Sequence, residues 1–353
     1  MTRGGDARGA VLRQEIREQP RVLQRFAAEE VPRVEAIAQA LRQADITHVV
    51  IAARGTSDNA ATYGRYLIES FLGWPVSLAA PSLYTLYRRP PRLAHALVVG
   101  ISQSGEAADV TEVVAEARRQ GAATLAITNV PASPLAQAAQ HVICCRAGPE
   151  RSIAATKTYT SQLYALGWLV AALQDDAALR DALLALPDQM AETVEAAEAC
   201  APQVDAYAGV ERCAVIGRGY NYATAFEVAL KLKELTYITA EPYSSADFRH
   251  GPIAMVDEGF PVLLIAPTGV VLPDLQDLAL DLRGRRARLV VLSDDAATLA
   301  LGDLRLPLPP GVPEWLSPTL AVVPGQVFAA CLALAKGLDP DRPRGLRKVT
   351  VTR

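Results

Sequence analysis

The chain has 353 residues, a length typical of two domains of roughly 150 residues each. It carries 35 Lys and Arg residues against 38 Asp and Glu residues, which gives a net charge of −3. No basic field is available to hold a polyanion, so nucleic acid is not an expected partner. Half of the residues are hydrophobic and 21% are charged, a balance typical of a folded soluble protein.

Neither a membrane span nor a secretory signal is predicted. The longest apolar stretch that we identify lies around residues 163–173, short of the roughly 18 residues that a membrane span needs. The N-terminal residues include Arg3, Asp6 and Arg8 with no apolar run behind them, unlike a secretory signal. We therefore expect a cytoplasmic protein that does not associate with a membrane.

Cysteine and histidine usage predicts neither a disulfide framework nor a metal site. The five cysteines are an odd number, and the four histidines lie far apart without zinc-type spacing. Lysine is scarce: of the 35 basic residues, five are lysines, at Lys157, Lys231, Lys233, Lys336 and Lys348. A lysine amine can act as a nucleophile, base or Schiff-base former, unlike a guanidinium. Biased codon usage also explains a low count, so each lysine needs a second signal.

The predicted elements begin with a helical stretch over residues 6–42, interrupted by Pro20 and Pro32. From His48 onward, short β-branched runs alternate with amphipathic helical stretches, a pattern typical of a parallel α/β sheet. The predicted strands of the first half are residues 49–53, 97–101, 124–128 and 142–145.

The same pattern returns later in the chain. Val-Ile-Ala-Ala-Arg-Gly at 50–55 resembles Ala-Val-Ile-Gly-Arg-Gly at 214–219, 164 residues further on. The same offset places 101–105 on 265–269, and 125–127 on 289–291. Three matches in register predict a duplication. The helical stretch 175–208 would then contain the boundary between the copies.

Two loops of the first half are rich in hydroxyl groups. Arg-Gly-Thr-Ser at 54–57 and Ser-Gln-Ser-Gly-Glu at 102–106 each follow a predicted strand and precede a helix. Ligands of parallel sheets bind at such loops, where backbone amides and hydroxyls offer donors to an anion. Helix capping is the alternative role of each loop. Neither loop has the NTPase or dinucleotide motif, so the pair favours a small phosphorylated metabolite.

The second half contains three further segments of interest. Helical spacing puts Lys231 and Glu234 on one face, either as a site or as a solvated surface pair. His250 lies in the polar segment 241–252, where it is a plausible acid or base or a structural residue. The prolines of the tail 339–351 predict an ordered, extended segment rather than a frayed terminus.

Four motifs together resemble a known family. They are Ser-Gln-Ser-Gly-Glu at 102–106, Ala-Leu-Lys-Leu-Lys-Glu at 229–234, Arg-His-Gly-Pro at 249–252 and Asp-Arg-Pro-Arg-Gly-Leu-Arg-Lys at 341–348. From about Val31, the chain resembles the sugar isomerase (SIS) domain family. The likeness is to the isomerase half of glucosamine-6-phosphate synthase, a glutamine-fructose-6-phosphate aminotransferase, and to stand-alone glucosamine-6-phosphate deaminases.

The resemblance implies an α/β fold of two tandem SIS domains. Each would be a five-stranded, doubly wound, flavodoxin-like parallel sheet flanked by helices. The implied ranges are an N-terminal helical segment at 1–30, SIS domains at 31–185 and 195–338, and a tail at 339–353 that closes the active site. Two chains would pair as a homodimer, with active sites near the subunit interface.

The resemblance also implies roles for residues. Glu234 would move a proton between sugar carbons 1 and 2, and His250, contributed by the partner subunit, would open the ring. Lys348 would lie beside the open-chain carbonyl, with Lys231 nearby. The phosphate would be bound by Thr56, Ser57, Ser102, Gln103 and Ser104. The remaining pocket residues would be Arg54, Gly55, Ile153, Ala155 and Arg347. This chemistry implies no metal or other cofactor.

Departures from the synthase pattern shape the expected reaction. The chain starts Met-Thr without a glutaminase domain, so glutamine is not the expected nitrogen source for this chain alone. This chain departs from the synthase pattern at four positions, Arg54, Ala107, Ala155 and Thr239. These departures leave the identity of the sugar open. Ala-Gly-Pro-Glu-Arg-Ser at 147–152 resembles amino-sugar phosphate deaminases. The expected reaction converts glucosamine 6-phosphate to fructose 6-phosphate and ammonia.

Three alternatives stay open from the sequence. The first is a deglycase for galactosamine 6-phosphate or a fructosamine 6-phosphate. The second is an isomerase subunit of an aminotransferase that receives ammonia from a separate source. The third is a non-catalytic sugar-phosphate sensor, a class that usually carries a helix-turn-helix ahead of the SIS unit. The segment before His48 is short for such a domain and lacks its basic surface.

Overall fold

The computed structural model describes residues 8–348. The ends of the predicted N-terminal segment and tail, residues 1–7 and 349–353, lie outside this range. The strands are β1 His48–Ala52, β2 Val76–Leu78, β3 Ala96–Ser102, β4 Ala123–Thr128, β5 His141–Cys144, β6 Arg212–Gly217, β7 Thr239–Ser244, β8 Pro261–Ile265, β9 Arg288–Ser293 and β10 Leu304–Pro307.

Helices alternate with these strands along the chain. They are α1 Ala10–Arg17, α2 Gln19–Glu29, α3 Val31–Arg42, α4 Thr56–Leu72, α5 Ser82–Thr85, α6 Ala108–Arg119, α7 Pro134–Ala138, α8 Lys157–Gln174, α9 Ala177–Cys200, α10 Tyr222–Thr236, α11 Ser245–Arg249, α12 Leu272–Gly284, α13 Ala296–Leu299 and α14 Ser317–Ala335. Short 3₁₀ turns cover Ala201–Tyr207, Gly219–Asn221 and Pro252–Met255.

The described chain divides into two compact units. Residues 19–150 and 157–187 form one, here called the N-terminal unit. Residues 8–18, 151–156 and 188–348 form the other, the C-terminal unit.

The N-terminal unit is built on a parallel sheet in the order β2-β1-β3-β4-β5. All four strands predicted for this half are present, with ends shifted by one residue at most positions. Strand β3 is buried along its whole length, which is why its sequence is an unbroken apolar run. Strand β2 was not predicted, because its three residues at the sheet edge are half-buried or exposed and form no such run.

The C-terminal unit repeats this topology. Its parallel sheet has the order β10-β9-β8-β6-β7. Written from the opposite edge this order is β7-β6-β8-β9-β10, which matches β2-β1-β3-β4-β5 strand for strand. The predicted duplication and the predicted α/β fold with two five-stranded parallel sheets are therefore confirmed. In each sheet the strand order reverses at one place, between β1 and β3 and between β6 and β8. Ligands of such sheets bind beyond the strand ends at that place, the switch point.

The predicted interruptions of the N-terminal helical segment are also confirmed. Pro20 and Pro32 are each the second residue of a helix, α2 and α3. Proline suits the first turn, because the amide hydrogen that it lacks has no acceptor there. The prolines thus start new helices.

Helix α14 is the most apolar long helix, although its longest uninterrupted apolar run, residues 327–335, is shorter than the predicted longest apolar stretch at 163–173. Its 19 residues have a mean hydropathy of 1.7 over an 18-residue window, which is enough for a membrane span by length and composition. Of that window, 83% is buried within the protein. Gly325 lets it approach α10, since a Cβ there would overlap the Val228 side chain. It therefore packs as a buried core helix of its unit.

Candidate functional site

The loop after β1 lies at the switch point of the N-terminal unit. Gly55 has φ 55° and precedes the first turn of α4, which carries Thr56 and Ser57. Ser57 is buried, and its hydroxyl oxygen accepts a hydrogen bond from Nε2 of Gln162 at 3.0 Å. A serine hydroxyl that accepts one bond keeps its proton to donate to another group.

The loop after β3 lies across the same switch point. The Ser102 hydroxyl accepts from the Gly105 amide at 3.1 Å, and the Ser104 hydroxyl accepts from the Glu106 amide at 3.2 Å. The Gln103 carbonyl accepts from the Asn129 amide at 3.1 Å. Both serine protons thus remain to be donated, as an anion site requires.

The conformation and close packing of this loop require a glycine at position 105. Its φ is 67°, in the left-handed region that favours glycine. A Cβ at this position would overlap the Ser133 side chain and lie 3.1 Å from Oγ1 of Thr128. These two residues therefore form the floor of the loop, a role that their sequence pattern did not indicate.

An ion pair joins the two loops. Nε of Arg54 donates to Oδ2 of Asp109, in the first turn of α6, at 2.7 Å. The Asp109 side chain is 1% exposed and that of Arg54 is 51% exposed. Burial raises the pKa of nearby Asp58, an effect that Arg54 partly opposes. The guanidinium thus places a fixed positive charge at the mouth of the switch point.

The equivalent loop of the C-terminal unit is occupied by carboxylates of the protein. There the Val270 amide donates to Glu314 at 2.8 Å, and the Thr268 amide donates to Asp294 at 2.6 Å. The two loop serines are replaced by Ala266 and Thr268 at the offset of the repeat. A phosphate would be repelled by the two carboxylates, so the copies of the duplication have diverged in what they can bind.

Helix α10 of the C-terminal unit carries a buried triad of charges. The ammonium of Lys231 lies 2.6 Å from Oε2 of Glu234 and 3.3 Å from Oε1 of Glu227. The side chains of Glu227 and Lys231 are 0% and 1% exposed, whereas Glu234 is 24% exposed. The predicted shared face of Lys231 and Glu234 is confirmed, and it is a buried cluster rather than a solvated surface pair.

The triad fixes the charge of its lysine. Burial alone would lower the pKa of Lys231, but the carboxylates of Glu227 and Glu234 outweigh burial and hold its pKa well above the ordinary value. Lys231 therefore stays an ammonium at neutral pH and holds Glu234 in place. Glu227 was not among the predicted site residues, although its spacing of four residues before Lys231 on the same apolar helix was a usable signal.

His250 is exposed at the C-terminal end of α11. Within residues 8–348, its imidazole has no hydrogen-bond or ion-pair partner. The helix before it is held by Asp274, whose carboxylate accepts from Ser245 and pairs with Arg218 at 2.9 Å and with Arg249 at 3.4 Å. Burial would raise the pKa of Asp274, but these partners outweigh burial and lower it.

The segment 151–156 and the tail meet within the C-terminal unit. The ammonium of Lys348 donates to the Ser152 carbonyl at 2.5 Å, next to half-buried Ile153 and Ala155; Arg347 is exposed. As far as residue 348, where the described range ends, the tail is ordered as expected, but the predicted extended conformation is wrong there. Turns form around residues 340–341 and 344–345, because the Asp339 carboxylate accepts from the Asp341 amide at 3.1 Å.

The predicted site residues thus fall into groups by unit. The N-terminal unit brings the two loops together at its switch point, through Arg54 and Asp109. The C-terminal unit brings together Lys231 and Glu234, and separately Lys348 and the segment 151–156. In the part of the chain described, no group of three or more His, Cys, Asp or Glu residues is placed to hold a metal ion.

Comparison with known proteins identifies the family. The sequence profile of the SIS domain matches residues 40–172 and 207–323. A glutamine–fructose-6-phosphate aminotransferase (isomerizing) of Methanothermobacter thermautotrophicus is 38% identical over 311 residues, which are 87% of this chain and 52% of the relative. The chain therefore spans about half the length of curated relatives such as this one.

Solved structures share the fold. The C-terminal domain of glucosamine-fructose-6-phosphate aminotransferase from Francisella tularensis superposes with a TM-score of 0.82 at 28% identity, over 97% of this chain and 100% of that one. Glucosamine-6-phosphate deaminase from Thermotoga maritima gives a TM-score of 0.79 at 22% identity, over 97% and 100% of the two chains. The resemblance inferred from the motifs is confirmed: the chain belongs to the SIS domain family.

Proposed function

We propose that the protein is a phosphosugar isomerase of the SIS type. The observation that carries this proposal is the contact of 2.6 Å between Lys231 and Glu234, which presents a carboxylate held by a buried ammonium. The hydroxyl-rich loops of the N-terminal unit supply the second requirement, a place for a phosphate. The matched relative named above is an isomerizing enzyme by its name.

The phosphate-binding residues of the proposal are those of the two loops. Ser57, Ser102 and Ser104 each have a hydroxyl proton to donate, and Thr56 and Gln103 add further polar groups at the same switch point. Hydrogen bonds to a charged group contribute roughly 1.5 to 3 kcal/mol each, so a few of them support micromolar binding, about 8 kcal/mol, after ordering costs. Arg54 and Gly55 complete this part of the pocket.

Within this class we propose deamination of glucosamine 6-phosphate. His250 of the partner subunit catalyses ring opening, which yields an aldehyde at carbon 1. Glu234 then takes the proton from carbon 2 and returns it to carbon 1, and the ammonium of Lys348 stabilises the charge on the carbonyl oxygen. A proton also passes from the nitrogen on carbon 2 to the oxygen on carbon 1, which leaves an imine at carbon 2 and a hydroxyl at carbon 1. The imine adds water and releases ammonia, and the product is fructose 6-phosphate. No oxidant or reductant is needed.

The proposal includes the assembly and the compartment. His250 is exposed and has no partner within the described chain, which supports its use by the other subunit of a homodimer. Such a dimer places the active sites near the subunit interface. The expected compartment is the cytoplasm.

The first experiment measures ammonia and fructose 6-phosphate released from glucosamine 6-phosphate by the purified protein. Galactosamine 6-phosphate and a fructosamine 6-phosphate are run alongside. Equal release of both products supports the deaminase, and a faster reaction of another substrate reassigns the sugar. No turnover of any substrate, combined with a sugar-phosphate shift in melting temperature, would favour a sensor.

Two variants distinguish a catalytic role of the Glu234 carboxylate from a general effect of removing a negative charge. Glu234→Gln is expected to bind sugar phosphate as the wild type does and to lose at least 100-fold in kcat, the usual contribution of a general base. Glu241→Gln, a change at an exposed glutamate of the same unit, is the matched control and should leave kcat unchanged. Wild-type kcat in Glu234→Gln would remove this residue from the mechanism.

A second candidate is the reverse direction, formation of glucosamine 6-phosphate from fructose 6-phosphate and ammonia. It is favoured by the name and the 38% identity of the aminotransferase from Methanothermobacter. The test supplies fructose 6-phosphate with either ammonium or glutamine. Product from ammonium alone supports this candidate, and product from glutamine would require a glutaminase activity.

A further inference from the structure

Helix α1 binds the segment 151–156 through one buried carboxylate. Glu15 is 4% exposed. Its Oε1 accepts the amide of Arg151, and its Oε2 accepts the amide of Ser152 at 3.1 Å. A buried carboxylate is costly unless it is hydrogen-bonded, and here two backbone amides satisfy it. The bonds fix the backbone next to Ile153 and Ala155.

The other end of α1 binds the C-terminal tail. Gly9 precedes the helix and offers no side chain to cap it. The Asp341 carboxylate instead accepts the amides of Val11 at 3.0 Å and Leu12 at 2.8 Å, and Asp339 accepts that of Gly9 at 3.2 Å. A carboxylate at a helix N-terminus satisfies free amides and favourably meets the helix dipole.

These contacts close into a ring inside the C-terminal unit. The tail runs from Asp341 to Lys348, whose ammonium donates to the carbonyl of Ser152 at 2.5 Å. Ser152 is the residue whose amide Glu15 holds. The ring therefore passes from α1 through segment 151–156 to Lys348, and back along the tail to α1.

The ring orders elements that have little structure of their own. Helix α1 has eight residues, too few to be stable in isolation. The tail is also held at Tyr237, whose hydroxyl accepts the Arg344 amide at 2.7 Å and whose ring centroid lies 4.3 Å from the Arg344 guanidinium carbon, and Pro340 and Pro343 are buried. The hydrogen bonds of the ring thus add to the apolar packing of α1, in which Leu12 and Ile16 are buried.

We propose that α1 is a positioning element for the reaction, and that Glu15 and Asp341 are its positioning residues. They place Lys348 and the segment 151–156, and they do not touch the substrate. Helix α1 lies outside the matched SIS ranges 40–172 and 207–323, so the role is additional to the SIS domains. The catalytic part of this inference rests on the proposed function, in which Lys348 lies beside the substrate carbonyl.

The ring itself is tested without substrate. Hydrogen exchange is compared for wild type, Glu15→Gln, Asp341→Ala and the control Glu18→Gln, which changes a glutamate just beyond the end of α1. Exchange of the amides of 344–348 and of 151–156 is expected to rise at least tenfold in the first two variants and to stay unchanged in the control. Asp341 is half-buried, so unchanged exchange of 344–348 in Asp341→Ala would overturn the ring even if Glu15→Gln fails to fold.

Kinetics test the positioning role. Because the phosphate loops are untouched, both variants are expected to lose about tenfold or more in kcat, with KM within about threefold of the wild type. The double variant should lose less than the product of the single losses, since both residues act on the same ring. Asp341→Asn keeps one acceptor oxygen and should recover part of the loss.

The outcomes separate this inference from the proposed function. Raised exchange with unchanged kcat would overturn the positioning role and leave the function standing. A wild type that turns over none of the phosphosugars would overturn the proposed function, while exchange would still decide whether α1 orders the segment that carries Lys348. Equal losses in Glu18→Gln would show a general effect of charge on the helix and would overturn the specific role of Glu15.

Discussion

The guanidinium of Arg54 donates from Nε to the buried Oδ2 of Asp109 at 2.7 Å, across 55 residues of sequence. This pair ties the loop after β1 to the first turn of α6, and it spans the switch point where the phosphate is proposed to bind. One buried carboxylate therefore links the loop after β1 to the helix that follows the loop after β3.

Asp109→Asn is expected to lower the free energy of unfolding by about 1.5 to 3 kcal/mol, since a charged hydrogen bond is lost at a buried site. KM for the sugar phosphate should rise as the loops lose their tie. Urea denaturation and initial rates measure the two effects. Glu112→Gln, which removes an exposed pair with Arg119 on the same helix, should change stability by less than about 1 kcal/mol. Equal effects of the two variants would contradict the role of Asp109.

Lys231→Met is expected to lower the free energy of unfolding by about 3 to 5 kcal/mol, because it leaves the buried Glu227 without its counter-charge. Because the pKa of Lys231 is raised in the folded state, the stability that its charge contributes is fully present below the unfolded-state pKa of about 10.4. That stability is lost only as the pH rises through the folded-state pKa. Denaturation at pH 7 and pH 9 should therefore give the same difference from the wild type. Lys233→Met, at an exposed site two residues away, should cost less than about 0.5 kcal/mol; a similar loss there would refute the triad.

Asp274→Asn is expected to lower the melting temperature at pH 7 by about 2 to 4 °C, the shift that about 1 kcal/mol produces in a domain of this size. The folded-state pKa of Asp274 is lowered, so its contribution is present above the unfolded value of about 3.9 and is lost as the pH falls through the folded value. The difference between variant and wild type should shrink below about pH 4. A difference that is constant from pH 7 to pH 3 would exclude the ion pairs as its cause.

Gly105→Ala is expected to raise KM at least tenfold, because its Cβ would overlap Ser133 and displace the loop after β3. Gly121→Ala separates this overlap from backbone strain. Gly121 also has positive φ, at 81°, but a Cβ there meets nothing within 4 Å. The Gly121→Ala variant should therefore lose some stability and keep the wild-type KM. Normal KM in Gly105→Ala would show that the loop does not bind the phosphate.

The sequence by itself determined the features that depend on local periodicity. Buried strands of parallel sheets are continuous apolar runs, so the positions of β1, β3, β4 and β5 follow from the order of apolar residues alone. The offset of 164 residues between Arg54 and Arg218 predicted the repeated topology. Helical spacing likewise put Lys231 and Glu234 on one face, since residues three apart are neighbours on a helix.

Only the tertiary structure decided which distant side chains meet. Asp341 satisfies the amide of Leu12 across 329 residues, and Asp274 joins Arg218 to Arg249 through helices that the sequence does not pair. Tertiary structure also determined that the two copies of the repeat differ at the equivalent loop. Glu314 accepts from the Val270 amide only because the chain folds back from beyond β10. No local pattern encodes such contacts: they depend on where packing of the apolar faces places each element, and the polar residues at the element ends then pair with whatever lies within hydrogen-bond distance.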